Sequence, residues 1–386
     1  MRRSRDRILT THTGSLPRPA DLDQLIADRE TGADVDQAAF DKRVEQAVAD
    51  IVASQLASGV SVISDGEMGK PGYSTYVKDR LNGFGGTGRP LAIAEMIEYP
   101  EVFEAMRGGN TSRRVMNQPG CDGPVSLRDP GAVHKDIANL KDAVRDAEPA
   151  DVFMSAASPG VIAAFLANEY YPSDEEYIFA LADAMKPEYD AIAAAGIVLQ
   201  LDCPDLAMTR AMLGNDALTD EEFRDQIRMH VRALNHAVRD IPPEQMRMHL
   251  CWGNGAWPHV TDIPLAAIID VVLEARPTGL VFEAANPRHG HEWKVWKDIR
   301  LPEGRVLVPG VIDSTTNFVE HPELVAQRIV RFAEIVGREN VIAGTDCGFG
   351  TFAGYYAVKP RVTWLKLAAM AEGAEIASNY LWKRGR

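Results

Sequence analysis

The first residues in this chain whose types and spacing could do chemistry are a histidine and a cysteine two positions apart, in Met248-His249-Leu250-Cys251-Trp252. In an extended strand, residues i and i+2 share a face, so both side chains point the same way and could grip one ion. Cys347 and Glu283 close two other candidate strands. Together the four form a soft and borderline donor set suited to tetrahedral Zn2+, in which three ligands could persist while the fourth gives way to a substrate. The competing reading has a buried histidine and two core cysteines packing as small hydrophobes, because an HxC pair with distant partners discriminates less than paired CxxC motifs. Cys121 and Cys203 have no matching partner and receive no role. Arg288-His289-Gly290-His291-Glu292 reads as a loop beside the site, with His289 placed to touch substrate.

Positioning such residues requires strands, and short β-branched runs alternate with helical stretches along the chain. The candidate strands are Ile8 to His12, Val60 to Asp65, Asp151 to Ala156, Ile197 to Asp202, Arg247 to Trp252, Gly279 to Ala284, Arg305 to Ile312 and Val341 to Asp346. Between them, apolar residues recur at helical spacing: Phe40, Val44, Val48 and Ile51; Val133, Ile137, Leu140 and Val144; Leu324, Val325, Ile329, Phe332 and Ile335. Ser173 to Glu176 and Thr219 to Glu222 fit the S/T-x-x-E capping box, and Asp262 with Pro264 opens a helix ending near Glu274. Near-continuous apolar strands in βα alternation predict an α/β fold, a parallel (β/α)8 TIM barrel, with a doubly wound sheet as competitor. The expected domain is a single barrel over 1–386, with residues 68–130 as an insertion between strands two and three. Barrel chemistry collects at strand C-terminal ends, which here carry His12, Asp65 with Glu67, Ser155 with Ser158, Asp202 with Cys203, His249 with Cys251, Glu283, Asp313, and Asp346 with Cys347. Within the insertion, Gly83 to Gly88 imitates a phosphate loop, but no candidate strand leads into it and Arg89-Pro90 follow where a helix should start, so it reads as a turn.

Composition narrows the function classes. Over 386 residues, 41 Lys and Arg against 55 Asp and Glu give a net charge of −14, which argues against a phosphate-backbone binder and so against a nucleic-acid partner. No apolar run approaches a membrane span, and the basic stretch Met1 to Arg7 leads into Ile8-Leu9-Thr10-Thr11-His12 rather than an apolar signal segment. Four cysteines are too few for a disulfide framework and suit a reducing, cytoplasmic setting. The expected partners are small molecules, with a symmetric homo-oligomer as a common form for such enzymes.

The ordered motifs resemble a known family. Thr10-Thr11-His12-Thr13-Gly14-Ser15-Leu16-Pro17-Arg18-Pro19 resembles the opening of the catalytic barrel of cobalamin-independent methionine synthase, and Ser64-Asp65-Gly66-Glu67 its "GE" motif. Leu201-Asp202-Cys203-Pro204-Asp205-Leu206 resembles the strand-four acidic motif, His249-Leu250-Cys251 the HxC pair, Phe282-Glu283 the zinc-proximal glutamate, and Thr345-Asp346-Cys347-Gly348 the final ligand. The resemblance implies that His249, Cys251 and Cys347 hold zinc, with Glu283 as a displaceable fourth ligand. It implies a small-molecule thiol bound to zinc as thiolate, its sulfur held in line with the electrophilic carbon of an alkyl donor. Homocysteine as acceptor would place its ammonium on Glu67 and Asp202 and its carboxylate on the Ser15 segment, with His12 and His289 counted as further substrate contacts. Glu283 and Asp313 are the carboxylates expected to take part in catalysis. Two features depart from the family. Ser155-Ala156-Ala157-Ser158-Pro159-Gly160 replaces a tryptophan-containing folate segment, and the strand-seven histidine is not evident in Val311-Ile312-Asp313-Ser314-Thr315-Thr316. The length also leaves no room for the family's second, folate-binding barrel. The single-barrel form also resembles epoxyalkane:coenzyme M transferase, so zinc-dependent epoxide:thiol transfer stands as the alternative. A uroporphyrinogen-decarboxylase-like barrel, or a metal-free binding protein on the same scaffold, is a third reading.

Overall fold

The computed structural model describes residues 1–89, 92–108 and 118–383. Seven strands form one parallel sheet: β1 (Val62–Ile63), β4 (Asp151–Ala157), β5 (Val198–Asp202), β6 (Met246–Leu250), β7 (Gly279–Phe282), β8 (Val306–Ile312) and β9 (Gly344–Thr345). The numbering leaves room for a separate antiparallel hairpin, β2 (Leu81–Phe84) with β3 (Cys121–Leu127). The seven strands lie side by side in chain order, without the reversal of direction that defines a doubly wound sheet, and that competitor is excluded. The first expected strand, Ile8 to His12, is instead a pair of single parallel bridges, Thr11 to Val62 on β1 and Thr10 to Ala343 beside β9. Thr11 N donates to Ala343 O at 2.8 Å and Val62 N to Thr10 O at 2.9 Å, so one short segment touches both edges of the curled sheet.

Side-chain alternation layers the inner face. Phe153, Val198, Val281, Val306, Val308 and Ile342 pack with Leu9 and Val62 into a small apolar cluster of their own. Two residues further along the strands the inward positions turn polar: Ser155, Gln200 and Arg247. Arg247 is fully buried, stacks on the Phe153 ring at 3.6 Å, and donates to Gln200 Oε1 (2.8 Å), Thr11 Oγ1 (3.0 Å) and His12 O (2.9 Å). One step further come Asp202 and His249. The outer faces pack against helices in the main core, to which Val44, Val48 and Ile51 of the helix Gln37–Ala57 and Val325, Ile329 and Phe332 of Pro322–Val336 contribute their apolar stripes.

Helix starts follow local chemistry. Thr219 and Glu222 form the full capping box of Asp220–Ala237, while Ser173 caps Asp174–Ala194 through Glu176 N. Asp262 does not cap the helix Leu265–Val272, which begins after Pro264; its carboxylate is taken by two histidines. Between β1 and β4 lie the hairpin and three short helices, Val77–Arg80, Glu95–Glu98 and Pro100–Gly108, with residues 90–91 and 109–117 of the expected insertion outside the described residues. A strand does lead into Gly83 to Gly88, contrary to expectation, but it belongs to the hairpin, and Gly88 N is bonded to the Glu169 carboxylate at 3.0 Å. Among the described residues no helix is long and apolar enough to cross a membrane.

Arg80 anchors this stretch to the sheet's helical layer by donating to Glu188 at 2.8 Å and to Asp136, while Tyr76 donates to Glu188 at 2.6 Å. Burial works against Glu188's charge, yet Arg80 and Lys70 hold its carboxyl below the usual range. Removing one partner of a buried pair strands the other charge. Arg80→Ala should therefore lower unfolding free energy by about 3–5 kcal/mol in urea titration, and adding Glu188→Gln should recover part of the loss.

Candidate metal centre

His249, Cys251 and Cys347 come together at the C-terminal end of the sheet, their donor atoms all within 4.8 Å of one another and all three residues buried. β6 aims the first two, and the turn after β9 brings in the third, with the two sulfurs 3.7 Å apart. His249 Nε2 is a buried nitrogen with no hydrogen-bond partner among the described residues. Burial holds this imidazole neutral, with its pKa down at about 3. Cys251 is pushed well above the usual thiol range by its bond to Cys347, by burial, and by the Cys347 charge. A neutral imidazole with an unsatisfied nitrogen and two sulfurs that cannot comfortably ionise together is what a soft divalent cation corrects, so the donor set fits zinc.

Glu283 stands beside Cys251 but outside that three-residue cluster. Its oxygens accept from Trp252 N and Asn286 Nδ2, each at 2.7 Å. Asp346 holds the next residues in place by accepting from the amides of Ala284, Ala285 and Asn286, all at 2.8 Å. Burial and the neighbouring Cys251 raise the Glu283 carboxyl well above its usual range.

A pocket opens beside the three donors and is lined by Ser15, Glu67, Asp202 and Asn254, among others. Glu67 is unusual in three ways: it is 1% exposed, its φ is +59°, and its Oε2 has no partner. A non-glycine residue in the left-handed region is strained and persists where its surroundings over-determine it. Here Glu67 N donates to Asp65 Oδ1, and Arg18 donates to Glu67 O at 2.9 Å and Gly350 O at 2.8 Å. Gly14, at φ +130°, lets the backbone pass this carboxylate, since a Cβ there would lie 2.5 Å from Glu67 Oε1. Asp202 accepts from Gln200 Nε2 at 2.8 Å. Burial raises both carboxyls, and for Asp202 the Glu67 charge adds to the effect. Two desolvated acids facing one pocket favour a cationic guest.

Three expected site residues lie elsewhere. His12 uses both ring nitrogens, with Gln55 Oε1 at 2.7 Å and Gly14 N at 3.1 Å, so it braces the wall from behind and does not line the pocket. His289 packs against Trp252 with the rings tilted and their centres 4.3 Å apart, and is hydrogen-bonded to Glu292 (2.8 Å) and Asp262 (3.1 Å); against burial, these two carboxylates raise its pKa to about 10. It too is outside the pocket lining. Asp313 turns away, accepting from Thr315 N and Thr316 N at 2.8 Å each and approaching Lys366 at 3.5 Å. Its local turn consumes the carboxylate, and it is withdrawn as a catalytic candidate.

Other pocket residues went unread in the sequence. Asn254 donates to Gly348 O (2.8 Å) and Thr351 Oγ1 (2.9 Å) and accepts from Ser314 Oγ (2.8 Å), tying three loops together. Gln200 and Arg247, which support the site from outside the pocket lining, had a legible signal: polar residues two positions before Asp202 and His249, hence on the same strand faces.

No family model matches the chain. It is similar to the methionine synthase of Thermococcus kodakarensis, 24% identical over 392 residues that take in 98% of this chain and 95% of the relative. That of Saccharolobus islandicus is 24% identical over 381 residues, 97% of this chain and 96% of the relative. Among solved structures, the B12-independent methionine synthase from Shewanella sp. W3-18-1 in complex with selenomethionine superposes with a TM-score of 0.73 at 20% identity, covering 98% of this chain and 99% of that one. Over nearly its whole length the chain is similar in sequence to methionine synthases, and its fold is that of a B12-independent one. These relatives match it nearly end to end.

Metal content of the purified protein checks the donor set. We expect about one zinc per chain in the wild type, lost in Cys251→Ser and in Cys347→Ser, since a structural or catalytic zinc site needs at least three protein ligands. Full zinc retention in both variants would count against it.

Proposed function

We propose that this protein is a zinc-dependent methyltransferase that moves a methyl group to the sulfur of homocysteine, giving methionine. One observation carries the reading: a single pocket joins His249, Cys251 and Cys347 to Glu67, Asp202 and Ser15. That arrangement suits a molecule with a thiol at one end and an ammonium and carboxylate at the other. The related proteins named above are methionine synthases, which favours homocysteine over the epoxide alternative.

His249, Cys251 and Cys347 are the residues that would hold the metal, and when bound it supplies a Lewis acid that lowers the pKa of a thiol. Glu67 and Asp202 take the ammonium group, which replaces their mutual repulsion with two charge-assisted hydrogen bonds. Ser15 and its neighbours receive the carboxylate. Anchored at that end, the substrate has its sulfur directed toward the three donors, so the attack on the methyl carbon is a positioned one. Glu283 is the ligand that can yield, because Trp252 N and Asn286 Nδ2 already satisfy its oxygens. In the transfer a sulfur lone pair forms the carbon–sulfur bond, the bond from methyl to its donor breaks with its electron pair staying on the donor, and the thiol proton is released to water when the thiol ionises. The Thr10–Thr11 bridges to both sheet edges support an eight-position barrel as the scaffold. A reducing cytoplasm would keep Cys251 and Cys347 available as thiols.

The test is methionine formation from homocysteine with a panel of methyl donors, methyl-folate first. Glu67→Gln and Asp202→Asn should each raise KM for homocysteine at least about 30-fold, as expected when one partner of a buried charge pair is lost at a cost of about 2–5 kcal/mol. No methionine above a no-enzyme control with any donor, from zinc-loaded protein, would overturn the assignment.

A further inference from the structure

Residues 92–98, within the stretch between β1 and β4, are stitched to both loops that wall the pocket. On one side Ala94 N donates to Ala211 O at 2.9 Å and Leu213 N to Ala92 O at 3.0 Å, in the loop after β5 that also supplies Met208 to the pocket. On the other side Glu95, 1% exposed, accepts from His259 N, Thr261 N and Thr261 Oγ1, each at 2.9 Å. A buried carboxylate met by three donors is a strong and geometrically specific anchor. What it anchors is the loop after β6, which carries Cys251.

Trp257 lies in that loop. Its ring stacks on His259 at 4.4 Å and faces Phe103, from the helix Pro100–Gly108, at 6.1 Å. The indole presses on Gly253 and Gly255 so closely that a Cβ would fall 2.5 Å from it at the first and 1.8 Å at the second. Gly253 also sits at φ +112°, a backbone conformation that L side chains rarely adopt. It lines the pocket, and its N–H donates to Cys251 Sγ at 3.3 Å. An N–H aimed at a ligating sulfur stabilises negative charge there and fixes the sulfur's position. A continuous set of contacts therefore runs from Glu95 and Phe103, through His259 and Trp257, to Gly253 and the sulfur.

We propose that the inserted segment supports the metal centre, with Glu95 and Trp257 as positioning residues that hold the Gly253 amide on the Cys251 sulfur. The proposal rests on the zinc reading of His249, Cys251 and Cys347. Its test uses the full chain, with Glu95→Ala and Trp257→Leu compared to wild type in three measurements: competition for zinc against a chelator, the thiolate-to-metal absorption band of the Co2+-substituted protein, and thermal melting of the metal-free protein. Both variants should bind zinc at least about tenfold more weakly and shift the Co2+ band, as expected when a partner of a metal ligand is disturbed. Glu95→Gln, which keeps one acceptor oxygen, should fall between. If Trp257→Leu or Glu95→Ala fails to fold by melting, Glu95→Gln and Phe103→Leu decide in the same assays. Folded variants with wild-type zinc affinity and an unshifted Co2+ band would overturn the proposal. Wild-type protein that binds neither ion would overturn the zinc reading itself, and this support role with it.

Discussion

Two sulfurs 3.7 Å apart, with Glu283 beside one of them and two further buried carboxylates, Glu67 and Asp202, lining the same pocket, concentrate more potential negative charge than a desolvated site can carry by itself. Burial already drives Glu67, Asp202 and Glu283 toward their neutral forms, and the hydrogen bond to Cys347 together with burial does the same for Cys251. A cation at the sulfurs and another at the paired carboxylates would let both groups ionise, at opposite ends of one pocket. Those two demands, a soft metal and an amine, match the amino-acid thiol proposed above as the substrate.

The scaffold accommodates this charge through the period of its strands. Along β5 the inward positions are Val198, Gln200 and Asp202; along β6 and its continuation they are Arg247, His249 and Cys251; beside them stand Phe153 and Ser155 of β4 and Val281 of β7, followed by Glu283. Apolar residues seal one end, uncharged and cationic hydrogen-bond donors fill the middle, and the reactive groups crown the other end. Arg247 matters in that middle layer because it is a buried cation with no direct carboxylate partner among the described residues, hydrogen-bonded instead to Gln200, Thr11 and the His12 carbonyl. Burial brings its pKa down to about 9, which still leaves it charged at neutral pH and within electrostatic reach of Asp202. The same positive charge contributes to keeping His249 and His12 neutral.

Loops outside the strands divide the remaining work. Asn254 ties the turn after Cys251 to Gly348, next to Cys347. Asp346 braces the residues after Glu283. Arg18 joins the Glu67 carbonyl to that of Gly350. Each link connects segments far apart in the chain, and together they hold groups from several strand ends in register, which a site of this kind needs if its geometry is to be maintained to a fraction of an ångström.

Strand positions, most helices and the three-donor set were legible in the sequence because they depend on local period and residue type: two-residue alternation in β5 and β6, the helical stripe of Val44, Val48 and Ile51, and the HxC spacing at His249 and Cys251. Which polar strand-end residues face the pocket was not legible, because that depends on contacts between distant segments. His12, Asp313 and His289 have the right chemistry in the right strand-end positions, yet Gln55, the Thr315–Thr316 turn and the Asp262–Glu292 pair claim them first. Asn254, Glu95 and Trp257 carry no motif, and only their neighbours across the fold give them a role. Residue type and local period determined what this chain could hold; the tertiary structure decided which of those groups remained free to hold it, because a polar side chain satisfied inside the fold has nothing left to offer a ligand.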